Sequence, residues 1–114
     1  MISNDLDANK IELAKPNAEI YEVLENIDFR NSDFLELDVS DQEVDCVFLA
    51  PPWGGVNYCN QDYSIFESVT PDIKKIMDKA MEINPNNLVL LLGRNTRVDE
   101  LVMLFSDYFN RHQV

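Results

Sequence analysis

The chain has 114 residues, and 21 Asp plus Glu against 9 Lys plus Arg give it a formal charge of −12. That length accommodates one domain. A composition of 46 % hydrophobic and 26 % charged residues is that of a packed globular protein, which excludes a disordered tail or a collagen-like repeat; no apolar run approaches the roughly 20 residues of a membrane span. So acidic a surface repels a polyanion and disfavours non-specific binding to duplex DNA, while leaving a small cationic ligand acceptable.

A short apolar start is followed by Asp5-Leu6-Asp7, and Asp7 is an N-cap for a helix beginning near Ala8. Ile11, Ala14, Ala18, Tyr21 and Leu24 recur at helical spacing as one face, and Pro16 is expected to kink or split that helix at Lys15. Ile27 to Arg30 alternates as a strand, ended by a loop at Asn31-Ser32-Asp33. The run VDCVFL at 44–49 predicts a strand buried on both faces, as in a parallel sheet. Pro51 and Pro52 must end it, and a polar loop then runs to about Ser68. Thr70-Pro71 predicts a helix start, with Ile73, Ile76, Met77, Ala80 and Met81 as its apolar stripe. After a turn at Asn84-Pro85-Asn86, LVLLL at 88–92 predicts a second buried strand. Gly93-Arg94-Asn95 is the loop at its end. Thr96 is expected to cap a last helix whose face is Val98, Leu101, Val102, Phe105 and Phe109.

The order β-α-β-β-α-β-α predicts an α/β fold with a mostly parallel sheet, in which ligands bind beyond the C-terminal strand ends. The residues placed there are Asp5, Asp33, residues 50–53 and residues 93–95. Cys46 and Cys59 form no CxxC pair and read as reduced thiols of an intracellular protein. With His112 as the single histidine, neither a structural zinc site nor a His-dependent nucleophile is supported, so no metal is expected.

Ala50-Pro51-Pro52-Trp53-Gly54-Gly55 directly after the strand is the strongest local feature. Two prolines stiffen the segment, leaving the Ala50 and Pro51 carbonyls as acceptors beside an aromatic ring. Acceptors plus a ring suit a planar base with an exocyclic amine, which requires Trp53 to be substantially exposed. The same residues suit a tight strand-end turn with a partly buried Trp. Asp5 suits ribose hydroxyls if it is more than a turn residue. Asp33 and Phe34 suit an adenine amine and its ring face, or a plain turn followed by a core Phe.

Together these pieces resemble the class I S-adenosylmethionine-dependent methyltransferases. The stretch at 44–58, ending in Tyr58, is similar to the signature of the trimethylguanosine synthases, enzymes that hypermethylate the RNA cap. Residues 4–21 with Asn17-Ala18-Glu19, Ser32-Asp33-Phe34 and Gly93-Arg94-Asn95 match in order and spacing. The resemblance covers nearly the whole chain. It implies one partial methyltransferase domain over residues 1–114: a partial Rossmann-like sheet lacking the first strand and the closing strands. S-adenosyl-L-methionine is the implied cofactor, with Asp5 on its ribose, Asp33 on its adenine amine and Leu6 and Phe34 against the adenine faces. Capped RNA is the implied partner, in the nucleus or cytoplasm, without membrane or duplex DNA. Trp53 would stack on 7-methylguanine, Ala50, Pro51 and Pro52 would orient its N2, and Tyr58, Arg94 and Asn95 would complete the substrate side. The transfer is in-line from sulfur to nitrogen, so positioning dominates over acid–base work.

Two departures from the family pattern stand out. Ala50 replaces a serine, leaving only backbone acceptors near the target amine. The chain begins at the family's second strand, without the glycine-rich loop that holds the cofactor's methionine part. The resemblance implies that a preceding segment or a second chain completes the sheet, or that residues 1–2 pair directly with the 44–49 strand. Adenine-N6 and ribosomal guanine methyltransferases share the wider Pro-Pro-aromatic motif, and a non-catalytic cap-binding remnant is the reading that Ala50 favours.

Overall fold

The computed structural model describes residues 1–54 and 64–109. The chain divides into two compact units, residues 1–38 and 39–114, each with its own two-stranded parallel sheet. It is a mixed α/β protein with short parallel strands.

In the first unit, β1 (Ile2–Asp5) pairs with β2 (Asp28–Asn31) in the register Ile2 with Asp28 through Asp5 with Asn31. A helix, α1 (Ala8–Ile20), makes the crossover that a parallel pair requires. Asp7 caps it as expected: its backbone is extended and its carboxylate accepts from the Asn9 amide at 2.9 Å. Pro16 does not split the helix. Both Pro16 and Glu12 are exposed, so the carbonyl that loses its donor, four residues before the proline, faces water.

The apolar face of α1 is shorter than its spacing suggests. Ile11 and Ala18 are buried, whereas Tyr21 is 78 % exposed and Leu24 lies outside the helix in a 3₁₀ turn. The helix ends at Ile20 because Glu22 turns into the left-handed region at φ 56° and Val23 bonds back to the Ala18 carbonyl. After β2, Asp33 caps a second 3₁₀ turn (Phe34–Glu36), and Leu37 is buried.

In the second unit, β3 (Cys46–Leu49) pairs with β4 (Asn87–Leu90), Cys46 opposite Asn87 and Leu49 opposite Leu90. Neither strand is buried on both faces. Val47 and Leu49 are buried, but Phe48 and Val89, cross-strand partners on the other face, are 63 % and 46 % exposed. Cys46, on the same face as Phe48, is exposed as well.

A short helix, α2 (Ile65–Ser68), occupies part of the stretch expected to be loop. The next helix, α3 (Ile73–Ile83), is capped by Asp72 and not by Thr70: the Asp72 carboxylate accepts from the amides of Lys74 and Lys75. Four of the five residues expected in its stripe, Ile73, Ile76, Met77 and Ala80, are buried, and Met81 is half-buried at its edge. Asn84 closes it in the left-handed conformation at φ 58°.

The last helix, α4 (Val98–Ser106), starts one residue later than expected, with Arg97 at the cap position. Thr96 instead donates from Oγ1 to the Gly93 carbonyl at 2.6 Å. The buried side of α4 carries Glu100 and Leu104, while Val98 and Val102 are exposed. Ile65, Val69, Ile73, Ile76, Met77, Ala80 and Leu104, with Val39, Val47 and Leu49, form the unit's core.

Candidate functional site

The candidate residues fall into two groups, one in each unit, and both lie at the C-terminal ends of parallel strands. In the first unit, parallel pairing puts Asp5 and Asn31 side by side at one sheet edge. The Asn31 side chain donates to the carbonyls of Asp5 and Leu6 at 2.8 and 2.9 Å. One residue further in, Asn4 donates to the Ser32 carbonyl at 3.0 Å and accepts from the Ser32 hydroxyl at 2.8 Å. These side chains fasten the two strand ends to each other where the backbone ladder stops.

Asp5 and Asp33 share one geometry. Oδ1 of Asp5 accepts from the Asp7 amide at 2.9 Å, and Oδ1 of Asp33 accepts from the Leu35 amide at 2.9 Å. Oδ2 of each has no protein partner among the described residues. Leu6 is 72 % exposed between the two caps in sequence, and Phe34 is half-buried. Two carboxylate oxygens without a protein partner among the described residues, on residues adjacent in sequence to an exposed Leu6 and a half-buried Phe34, suit a ligand with hydroxyl or amine donors and an aromatic face. These acceptors are compatible with the hydroxyls and amine of a nucleoside.

In the second unit, the bond from the Leu91 amide to the Leu49 carbonyl, at 2.8 Å, is the last rung between β3 and its neighbour. Ala50 is exposed, Pro51 buried and Pro52 exposed. Trp53 is half-buried, as in the strand-end turn with a partly buried Trp, and less open than the substantially exposed ring expected of a stacking platform. Gly54 follows at φ 110°, a conformation that a β-carbon would oppose. The Pro52 carbonyl accepts from the Thr70 amide at 3.0 Å. That bond occupies one of the two lone pairs of the Pro52 carbonyl, whereas no backbone partner is seen for the Ala50 and Pro51 carbonyls among the described residues.

The neighbouring strand end carries Gly93, Arg94 and Asn95. Gly93 is buried, and its carbonyl accepts from both the hydroxyl and the amide of Thr96. Arg94 is exposed and makes no ion pair among the described residues. Arg97, by contrast, is paired with Asp99 at 2.6 Å, and this hydrogen bond holds the exposed Asp99 carboxyl below the usual carboxylate range. A cavity of about 360 Å³ opens beside Leu92, Gly93, Arg94 and Phe105. Tyr58 and Gly55 lie outside the described residues.

Three positions that the sequence pattern does not single out hold elements together: Asn4 and Asn31 at the strand ends, and Glu100, whose Oε2 accepts from the Ile65 amide at 2.8 Å. The asparagines sit in or at the end of strands, where Asn is disfavoured, and that misfit is the signal they carried. Glu100 and Leu104 lie across the helix from the expected apolar face, so the spacing gave no signal for Glu100.

The chain matches the family described as RNA cap guanine-N2 methyltransferase over residues 1–113. It is 31 % identical over 104 residues to a trimethylguanosine synthase of Saccharomyces cerevisiae, which covers 85 % of this chain and 32 % of that protein. It is 33 % identical over 107 residues to a trimethylguanosine synthase of Schizosaccharomyces pombe, covering 89 % of this chain and 44 % of the relative. The chain thus spans less than half the length of these curated relatives. By a match running almost end to end and by these two relatives, the chain belongs to the RNA cap guanine-N2 methyltransferase family.

Proposed function

We propose that this chain carries cofactor-binding and base-binding residues of an enzyme that methylates the exocyclic N2 of 7-methylguanosine in an RNA cap. The observation that carries the reading is the Ala50-Pro51-Pro52-Trp53 turn after β3, whose parallel neighbour β4 leads into the loop of Arg94 and Asn95, in a chain of this family. The two units belong to one partial methyltransferase domain of Rossmann-like type, and the setting is the nucleus or cytoplasm, where capped RNA is found.

S-adenosylmethionine, when bound, supplies a methyl group already activated by a sulfonium charge. In the first unit, Asp5 would accept from its ribose hydroxyls and Asp33 from its adenine amine, with Leu6 and Phe34 against the adenine faces. In the second unit, the Trp53 ring stacks on 7-methylguanine, whose positive charge adds a cation–π contribution. The carbonyls of Ala50 and Pro51 accept the amine hydrogens and so hold the N2 lone pair in one direction. Arg94 and Asn95, with Tyr58, take the cap phosphates and ribose, where a single guanidinium suffices on an acidic surface. Transfer is then a matter of placement, and no side-chain base is needed to activate the donor.

Ala50 favours a second reading, a module that binds the cap without turnover, because no side-chain oxygen supports the target amine. Binding and turnover separate the two. Methyl transfer from labelled S-adenosylmethionine to 7-methyl-GTP, in preference to GTP and ATP, is the expected result. Binding of 7-methyl-GTP without transfer would select the second reading. Equal response to GTP or ATP would point to an adenine or ribosomal guanine substrate.

A further inference from the structure

Glu100 is the buried charged residue among those described, at 8 % exposure in the first turn of α4. Its Oε2 accepts from the Ile65 amide at 2.8 Å, across 35 residues of sequence. Ile65 is the fully buried first residue of α2, and Ser64 before it provides no side-chain cap. The Glu100 carboxylate therefore caps α2 from another helix, filling the role a local Ser or Asp ordinarily fills. At the far end of the same segment, Val69 is buried and the Thr70 amide donates to the Pro52 carbonyl at 3.0 Å. Residues 65–70 are thus fastened at one end to α4 and at the other to the peptide plane between Pro52 and Trp53. A carboxylate is an expensive group to bury, and an apolar residue would fill this position on α4 at lower cost. Arg97 Nη1 lies 3.7 Å from Oε1, on the exposed side, and leaves the Oε2 bond to Ile65 intact.

We propose that Glu100 is a positioning residue for the Ala50-Pro51-Pro52-Trp53 turn, acting through the Ile65 and Thr70 amides. The catalytic consequence rests on the cap-methylating reading above; the structural coupling does not. Trp53 is the single tryptophan of the chain, so its fluorescence reports on the turn without any ligand. Glu100→Gln keeps a carbonyl oxygen for the Ile65 amide, whereas Glu100→Leu keeps the bulk and deletes the acceptor. In the Leu variant the Ile65 and Thr70 amides should exchange about tenfold faster, the amides of α3 should keep their protection, and acrylamide should quench Trp53 more strongly. The Gln variant should restore the wild-type pattern. In protein that turns over, the Leu variant should lower kcat about 10- to 100-fold and leave KM for S-adenosylmethionine unchanged. A folded Leu variant with unaltered Thr70 exchange and Trp53 quenching overturns the proposal. Should that variant fail to fold, Glu100→Asp, one methylene too short to reach Ile65, is read by the same two signals, and an unaltered turn there overturns it equally. Wild-type protein that never methylates 7-methylguanosine would sink the proposed function and leave the exchange and quenching results standing.

Discussion

The two units are held together by different physics. The second unit has an apolar core: Ile65, Ile73, Met77 and Ala80 are fully buried and Leu104 is nearly so. The first unit buries few large side chains, Ile11 and Leu37 among them, and leaves Leu13, Ile20 and Tyr21 exposed on or beside α1. What it has instead is a seam of amide and hydroxyl side chains, with Asn31, Asn4 and Ser32 tying β1 to β2. Arg30 extends the seam, donating to Asp28 at 2.9 Å and to the Asp38 carbonyl at 2.8 Å. Apolar burial gives stability that is tolerant of small shifts, because it is non-directional. Hydrogen bonds at strand ends give less stability and more precise placement. The unit proposed to hold a nucleoside is the one built for placement.

The largest test of this contrast is Met77→Ala. Removing a side chain with 0 % exposure should destabilise the chain by about 2–5 kcal/mol in a denaturant melt. A loss under 1 kcal/mol would mean that the second unit does not rest on its core.

Trp53→Ala is expected to have a smaller effect of a different kind. It should weaken 7-methyl-GTP binding, read by calorimetry, by about 1–3 kcal/mol of lost stacking. Being half-buried, Trp53 should affect the melt well below the ~3–5 kcal/mol of a core aromatic. A melt that moves that far, with binding unchanged in what remains folded, would assign Trp53 to the core.

Asn31→Ala sharpens the comparison from the other side. Two hydrogen bonds go, but the carbonyls of Asp5 and Leu6 are left near solvent, so the expected cost is about 1 kcal/mol. S-adenosylmethionine affinity should fall by more than stability does, since Asp5 and Leu6 lose their tether. If stability fell as far as in Met77→Ala, the seam would be the first unit's main support and the contrast would be one of chemistry, not of strength.

The smallest effect belongs to Tyr108, whose hydroxyl donates to Asp78 at 2.7 Å. Burial and that bond push its pKa up from 10.0 to about 12. Because the folded value is the higher one, the contribution is fully present below pH 10 and is lost as the pH rises through 12. Tyr108→Phe should cost under about 1 kcal/mol at neutral pH and should remove this alkaline component of the melt. A variant whose alkaline loss matches that of wild type would show the Asp78 bond to be idle.

Much of the second unit could be read from residue order. The α3 stripe and the turn at Asn84 follow from spacing and from one αL-tolerant residue, and both stand in the structure. What could not be read was which of several caps would win. Thr70 and Thr96 each precede a helix, yet Asp72 and Arg97 hold the cap positions, because Thr96 bonds the Gly93 carbonyl and Asp72 lies nearer the apolar stripe. The exposure of Phe48 and Val89 is not legible in the sequence, because an apolar run does not say how many of its faces are covered. At the strand ends, residue type located Asp5, Asp33 and Trp53. The tethers on them came from residues far away in sequence, Asn31 for Asp5 and Thr70 for Pro52, which no local pattern encodes.

The one-oxygen caps on Asp5 and Asp33 have an entropic consequence. A free aspartate samples several χ1 wells and a broad carboxylate torsion, and freezing so short a side chain on binding costs on the order of 0.5 kcal/mol. Here the backbone amides of Asp7 and Leu35 have already removed that freedom when the chain folds, so a ligand meets two acceptors whose direction is set beforehand. Selectivity then follows from distance and angle more than from charge. Glu in place of either Asp would carry the same charge on a longer, freely rotating arm, and would meet the same ligand with that freedom still to be lost.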